Sequence, residues 1–188
     1  MSLEEAIARR KSVRGFTAEP VSRAQLAQLL WAGYGIQEGR KRDRTVPSAG
    51  AAYPLKVFAV CGKNTVELLA EGIYCYNTDS HTLTPHQKGD MRASLSRAAL
   101  GQSFIEEAPL DIVICAEYGS TIKRYGNRAE RYVHMEVGHV GQNVYLQATA
   151  LGLASVVVGA FSDEQVREVL GKDEQCRPLY IIPVGKPV

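Results

Sequence analysis

The 188-residue chain has one tryptophan, three methionines and four cysteines, and its charges nearly cancel: 22 Lys and Arg against 20 Asp and Glu leave a net +2. No apolar run reaches the ~20 residues that cross a bilayer, and Met1 to Arg10 is charged and amphipathic rather than an apolar secretory signal. A cytoplasmic location with no membrane partner is therefore expected. The small net charge gives no chain-wide attraction for nucleic acid, so any anion site must be local. Cys61, Cys75, Cys115 and Cys176 are far apart, form no Cys-x-x-Cys pair, and three lie in strand-like apolar runs. They read as structural thiols rather than a redox pair or metal knuckle.

Several catalytic signatures are also missing. There is no Gly-x-x-x-x-Gly-Lys-Ser/Thr phosphate loop and no Gly-x-Ser-x-Gly elbow, since Ser48 lacks the preceding glycine. Gly33, Gly35 and Gly39 have the wrong spacing for a dinucleotide fingerprint and follow a helical rather than a strand pattern. His134 and His139 are five apart, which sets them about 140° around a helix, whereas a two-histidine zinc helix needs a spacing of four. No metal site is expected.

What is present alternates irregularly between helix and strand. Ser2-Leu3-Glu4-Glu5 and Ser22-Arg23-Ala24-Gln25 are capping boxes, predicting helices over about 3–10 and from 23 until the glycines at 33, 35 and 39 break it. "KVFAVC" (56–61) and "LDIVICAEY" (from 110) read as buried strands, and "GIYCYN" with "HTLTP" as a hairpin. Asp90 caps a helix to about Leu100. The longest helix, about 127–151, carries Val133, Val137, Val140, Val144, Ala148 and Leu151 at spacings of three and four. Gly138 and Gly141 within it suggest close approach of another backbone, such as a helix across a dimer. "ASVVVGAF" reads as a strand running into a turn, Ser162 opens a short helix, and "PLYIIPVG" is a last strand. One domain over 1–188 is expected, of α+β class with a mixed sheet, because the hairpin argues against an all-parallel one.

Three segments carry candidate chemistry. "RRKSVR" offers Arg10, Lys11, Arg14 and the Ser12 hydroxyl, which suit a phosphate dianion or, more plainly, an exposed helix end. "PSAG" (Pro47, Ser48, Ala49, Gly50), inside "RTVPSAGAAYPL", and "VVVGAF" (Val156 to Phe161) offer small residues whose backbone can approach a flat ring. "GRKRDR" (Gly39 to Arg44) has no interleaved aromatic and reads as a solvated loop.

In their order along the chain these segments, together with "GQNVYLQATALGLAS", resemble the FMN-dependent nitroreductase superfamily over essentially the whole chain. "RTVPSAGAAYPL", "GIYCYN" and "RYVHMEVGHVGQNVYLQATALGL" look most like the subgroup that includes the thiazole- and oxazole-forming dehydrogenases of modified-peptide biosynthesis. The resemblance implies a nitroreductase-like fold, with the long helix at a homodimer interface holding two FMN molecules. It assigns the phosphate to Arg10, Lys11, Ser12 and Arg14, and places Pro47, Ser48, Ala49 and Gly50 against the partner's flavin. It also brings backbone N–H groups of Val158, Gly159 and Ala160 to flavin N5.

Two departures accompany it. Many relatives have Asn where this chain has Ala51, and a basic residue in a longer tail, for which Lys186 is the candidate here or else a solvated terminal lysine. Gln102 either reaches the flavin pyrimidine edge or ends a surface helix. The implied reaction is ping-pong hydride transfer from NAD(P)H through FMN to a small electrophile, nitroaromatic or quinone, with Tyr53 and Tyr125 as possible proton donors. Dehydrogenation of a peptide azoline, usually beside a partner cyclase, and a non-catalytic flavin-binding dimer are the alternatives.

Overall fold

The computed structural model describes residues 1–39, 43–172 and 175–188. Arg40 to Arg42, at the heart of the basic "GRKRDR" run, lie outside the described residues. The helices are α1 (Leu3–Arg9), α2 (Arg23–Tyr34), α3 (Arg92–Ala98), α4 (Ser103–Glu107), α5 (Gly119–Tyr125), α6 (Ala129–Ala150) and α7 (Asp163–Val169). The strands are β1 (Leu55–Cys61), β2 (Gly72–Asn77), β3 (Thr82–Lys88), β4 (Leu110–Ala116), β5 (Ala154–Ser155) and β6 (Arg177–Gly185), forming one sheet in the order β3-β2-β1-β4-β6-β5.

The α+β class is as expected, but every named strand pairing is antiparallel rather than mixed. Parallel pairing occurs as isolated bridges, Ser12 with Ser155 and Val21 with Val66. Strand alternation sorts the core into two layers. Val57, Ala59, Leu110, Ile112, Ile114, Ile182 and Val184 face α2 and α6, through Leu26, Leu29, Leu30, Val133, Val137, Val140 and Val144. Phe58, Val60, Ile73, Val113 and Ile181 face α3, α4 and α7, through Leu95, Ala98, Ile105 and Val166. Helices cover both faces, so β4 is buried at all seven positions, which is why its sequence runs apolar without alternation. Each fully buried isoleucine in it contributes about 1.5–3 kcal/mol. At the edge, β3 is mostly exposed and tolerates Pro85, because an edge strand can leave an N–H position unpaired.

The glycines do different work from that expected. Gly33 does not break α2; it lies inside the helix, where a Cβ would come 3.2 Å from Val144 Cγ2, so it sets how closely α2 packs on α6. The break comes at Gly35, the C-cap. α6 runs unbroken through Gly138 and Gly141 for 22 residues, about 33 Å. At Gly141 a Cβ would meet Tyr180 at 3.3 Å and Val157 at 3.4 Å, so the close neighbour is β6 and its flanking loop, whereas Gly138 faces open space. Among the described residues no helix is long and apolar enough to cross a membrane.

Candidate functional site

The end of α6 positions the first group of candidate residues. Gly152 takes φ +72°, and the N–H groups of Gly152 and Leu153 return to the carbonyls of Thr149 and Ala148, a Schellman stop. The chain then turns back along β6, pairing as β5 and again at the Val158–Ile181 bridge. The strand expected over "ASVVVGAF" is interrupted between them: Pro183 has no N–H to donate, and the Val157 N–H goes instead to the Tyr145 hydroxyl at 2.9 Å.

That hydroxyl also bonds Ser12 Oγ at 2.8 Å, and the Val13 N–H donates to the Ser155 carbonyl at 3.0 Å. Tyr145 thus joins the basic N-terminal segment to the segment after α6. The Arg10 guanidinium sits 5.0 Å from the Tyr145 ring and that of Arg14 sits 5.8 Å from the Phe104 ring. Gln102 donates to the Ala160 carbonyl at 3.0 Å and to the Ala99 carbonyl at 2.8 Å, which fixes the turn at Gly159 and Ala160. Arg10, Ser12, Arg14, Gln102, Val158, Gly159 and Ala160 therefore gather at one corner of the sheet, with Lys11 exposed beside them.

The donors at this corner suit a phosphate-bearing planar ligand such as FMN. Among the described residues Arg10, Lys11 and Arg14 have no carboxylate partner. The N–H groups of Gly159 and Ala160, both exposed, likewise have no acceptor there. Val158 differs from Gly159 and Ala160: its N–H already donates to the Ile181 carbonyl at 2.8 Å. Lys186 lies beside the N-terminal segment, its carbonyl accepting from Thr17 N at 2.9 Å, but its ammonium is paired with Glu19.

Pro47, Ser48, Ala49 and Gly50 form a second group. Ser48 precedes a short 3-10 turn, Ala49–Ala51, and Gly50, Ala51 and Tyr53 have φ of +58°, +52° and +46°. Ser48 Oγ donates to Glu136 Oε2 at 2.6 Å and accepts the Tyr53 N–H at 2.9 Å. Glu136 Oε1 accepts from the Tyr34 hydroxyl at 3.0 Å, which in turn accepts the Leu55 N–H at 3.2 Å. Burial pushes the Glu136 carboxyl up, against the opposing hydrogen bonds from Ser48 and Tyr34. Arg124 Nη1 donates to the Gly50 carbonyl at 2.6 Å, and a Cβ at Gly50 would lie 2.5 Å from the Tyr125 hydroxyl. Arg44 stacks between the Tyr34 and Tyr53 rings at 5.7 and 5.5 Å.

Among the described residues no hydrogen bond runs directly between these two groups. Glu136 and Tyr145, which anchor them, are nine residues or about 13–14 Å apart along α6. Glu136, Tyr145 and Tyr34 were not singled out by sequence reasoning. Glu136 carried a legible signal, as the lone carboxylate between Val133, Val137 and Val140 on the apolar stripe. His134 accordingly has an ordinary partner, its Nε2 lying 3.1 Å from the Tyr118 hydroxyl. A cavity of about 1090 Å³ opens beside the second group, lined by Tyr53, Pro54, Lys56, Tyr118, Asn127 and Arg177 among others.

The profile described as Nitroreductase family matches residues 7–186. MJ1384 of Methanocaldococcus jannaschii, a protein that carries a nitroreductase name, is 43% identical over 188 residues, covering 100% of this chain and 92% of its own. The crystal structure of a nitroreductase-named protein from Ralstonia eutropha JMP134 superposes with a TM-score of 0.87 at 28% identity, over 100% of this chain and 84% of that one. A chain of the Escherichia coli microcin synthetase McbBCD complex with truncated pro-MccB17 bound superposes with a TM-score of 0.85 at 25% identity, over 100% of this chain and 73% of that one.

Proposed function

Since the chain belongs to the nitroreductase family, we propose that this oxidoreductase is FMN-dependent, taking hydride from NAD(P)H and delivering it to a small electrophile such as a nitroaromatic or quinone. The observation that carries this reading is the corner where three cations without a carboxylate partner among the described residues, the Ser12 hydroxyl and the N–H groups of Gly159 and Ala160, which have no acceptor there, meet. Arg10 and Arg14, with Lys11, would hold the phosphate dianion through charge-assisted hydrogen bonds. The Gly159 and Ala160 amides would donate to the ring edge. Tyr145 keeps the phosphate and ring segments at a fixed spacing, and Gln102 holds the donors outward. FMN, when bound, supplies the hydride chemistry that no side chain here can perform.

The wall formed by Pro47 to Gly50 is anchored on α6 about 13–14 Å along the helix from Tyr145, a separation that favours a homodimer in which each copy lends its wall to the other. Tyr53 and Tyr125 travel with that wall, and the Tyr125 hydroxyl has no hydrogen-bond partner among the described residues, so it is available as a proton donor. A second reading, dehydrogenation of a peptide azoline, is favoured by the likeness to the microcin synthetase complex.

The test is optical. Protein reconstituted with FMN should be yellow and should bleach anaerobically when NADH or NADPH is added. A protein that stays colourless overturns the FMN reading. A yellow protein that neither nicotinamide bleaches overturns the reductase reading in favour of azoline dehydrogenation or a non-catalytic flavin-binding dimer.

A further inference from the structure

Glu136 is 2% exposed in the middle of an otherwise apolar helix face. An ionisable carboxyl at such a position is disfavoured unless each oxygen has a partner, and a valine there would simply continue the stripe. Both partners of Glu136 belong to or control one segment. Oε2 takes the Ser48 proton, leaving the Ser48 lone pairs to receive the Tyr53 N–H; Oε1 takes the Tyr34 proton, leaving that hydroxyl to receive the Leu55 N–H. One carboxyl thereby orients two hydroxyls so that each captures a backbone N–H, at either side of Pro54.

Between Ser48 and Leu55 lie Gly50, Ala51 and Tyr53, all in the left-handed region. Two of the three are not glycine, so the conformation is strained and persists only where the surroundings impose it. From α5, Arg124 donates to the Gly50 carbonyl and the Tyr125 hydroxyl lies against Gly50. The network therefore acts on the shape of the turn rather than on the core beneath it.

We propose that Glu136 is a positioning residue: through Ser48 and Tyr34 it holds Pro47 to Tyr53 in the shape that presents a flat backbone wall to the isoalloxazine ring bound by the partner subunit. This rests on the FMN reading above. The wall would meet the ring and not the phosphate, so its loss should weaken riboflavin and FMN binding alike. Loss of an arginine at the other corner should weaken FMN alone.

The experiment titrates full-length wild type, Glu136→Gln, Ser48→Ala and Arg10→Ala with FMN and with riboflavin, following flavin fluorescence and the visible absorbance bands, with thermal melts of each apoprotein. Glu136→Gln and Ser48→Ala should each lower affinity for both flavins by the same factor, at least tenfold, and shift the bound absorbance bands. Arg10→Ala should weaken FMN only and leave the band positions unchanged. If Glu136→Gln does not fold, Ser48→Ala, half-exposed in the apoprotein, carries the test by itself. Wild-type binding and spectrum retained in the folded variants overturn the positioning role, as does a loss confined to FMN. A wild type that binds neither flavin overturns the underlying FMN reading instead, a distinguishable outcome.

Discussion

Asp111 lies within β4, 0% exposed, with Val60 of β1 and Pro183 of β6 as its cross-strand neighbours. Neither carboxyl oxygen has a hydrogen-bond partner among the described residues. Arg92, whose charge acts on it, gives its guanidinium to Asp90 and to the Ala108 carbonyl. Burial therefore holds the acid well above the usual carboxylate range, with Arg92 opposing and Asp90 reinforcing the rise. In the unfolded chain an aspartate titrates near 3.9. Between that value and the raised native one, the folded state binds about one proton more than the unfolded state. Stability then falls as pH rises, by about 1.4 kcal/mol per unit while both limits bracket the pH. At roughly 2–4 °C per kcal/mol for a chain of this size, that is roughly 3–6 °C of Tm per pH unit. Asp111→Asn keeps a neutral polar group of the same shape but has no proton to lose. Thermal or urea melts of the two proteins from about pH 4.5 upward should give profiles that diverge by that amount, wild type losing more. Glu136, raised by the same cause, contributes to both profiles and cancels in the difference. Parallel profiles would refute the argument, because they would mean that Asp111 titrates alike in the folded and unfolded states.

If Arg10 and Arg14 hold the phosphate as proposed, replacing both with Ala removes two charge-assisted contacts at ~1.5–3 kcal/mol each, so FMN affinity should fall by roughly 10² to 10⁴; titration by fluorescence checks it, and unchanged affinity sinks the phosphate assignment. Lys186→Ala in the same assay should change little, since that ammonium is paired with Glu19. Gly185→Ala should destabilise by about 1–3 kcal/mol, because a Cβ there would come 2.6 Å from Cδ of the rigid Pro109 ring and 3.2 Å from Phe16; an unaltered denaturation midpoint would contradict that packing.

Much of the local structure was legible because its causes are local. The two capping boxes form as written, with Ser2 and Glu5 bonding reciprocally at one helix and Ser22 and Gln25 at the other. The apolar run of β4, the hairpin and the stripe of α6 each reflect burial repeated at a fixed period. The order of the basic segment, the small-residue segment and the turn after α6 carried the family resemblance, because each segment was distinctive in composition. Less was legible where contacts join residues far apart: α4 and α5 are short, and no strong period marks them.

The sequence by itself determined the α+β class and the long helix, since composition and periodicity act over a few residues at a time. Only the tertiary structure decided that every named strand pairing is antiparallel, that Val158 gives its N–H to Ile181 while those of Gly159 and Ala160 have no acceptor among the described residues, and that Lys186 turns to Glu19. It alone brought Glu136 onto Ser48, 88 positions away in the chain, and Tyr145 onto Ser12, 133 away. The reason is physical: a hydrogen bond or buried charge is decided by what folding places opposite it, and that partner lies beyond the reach of any local pattern.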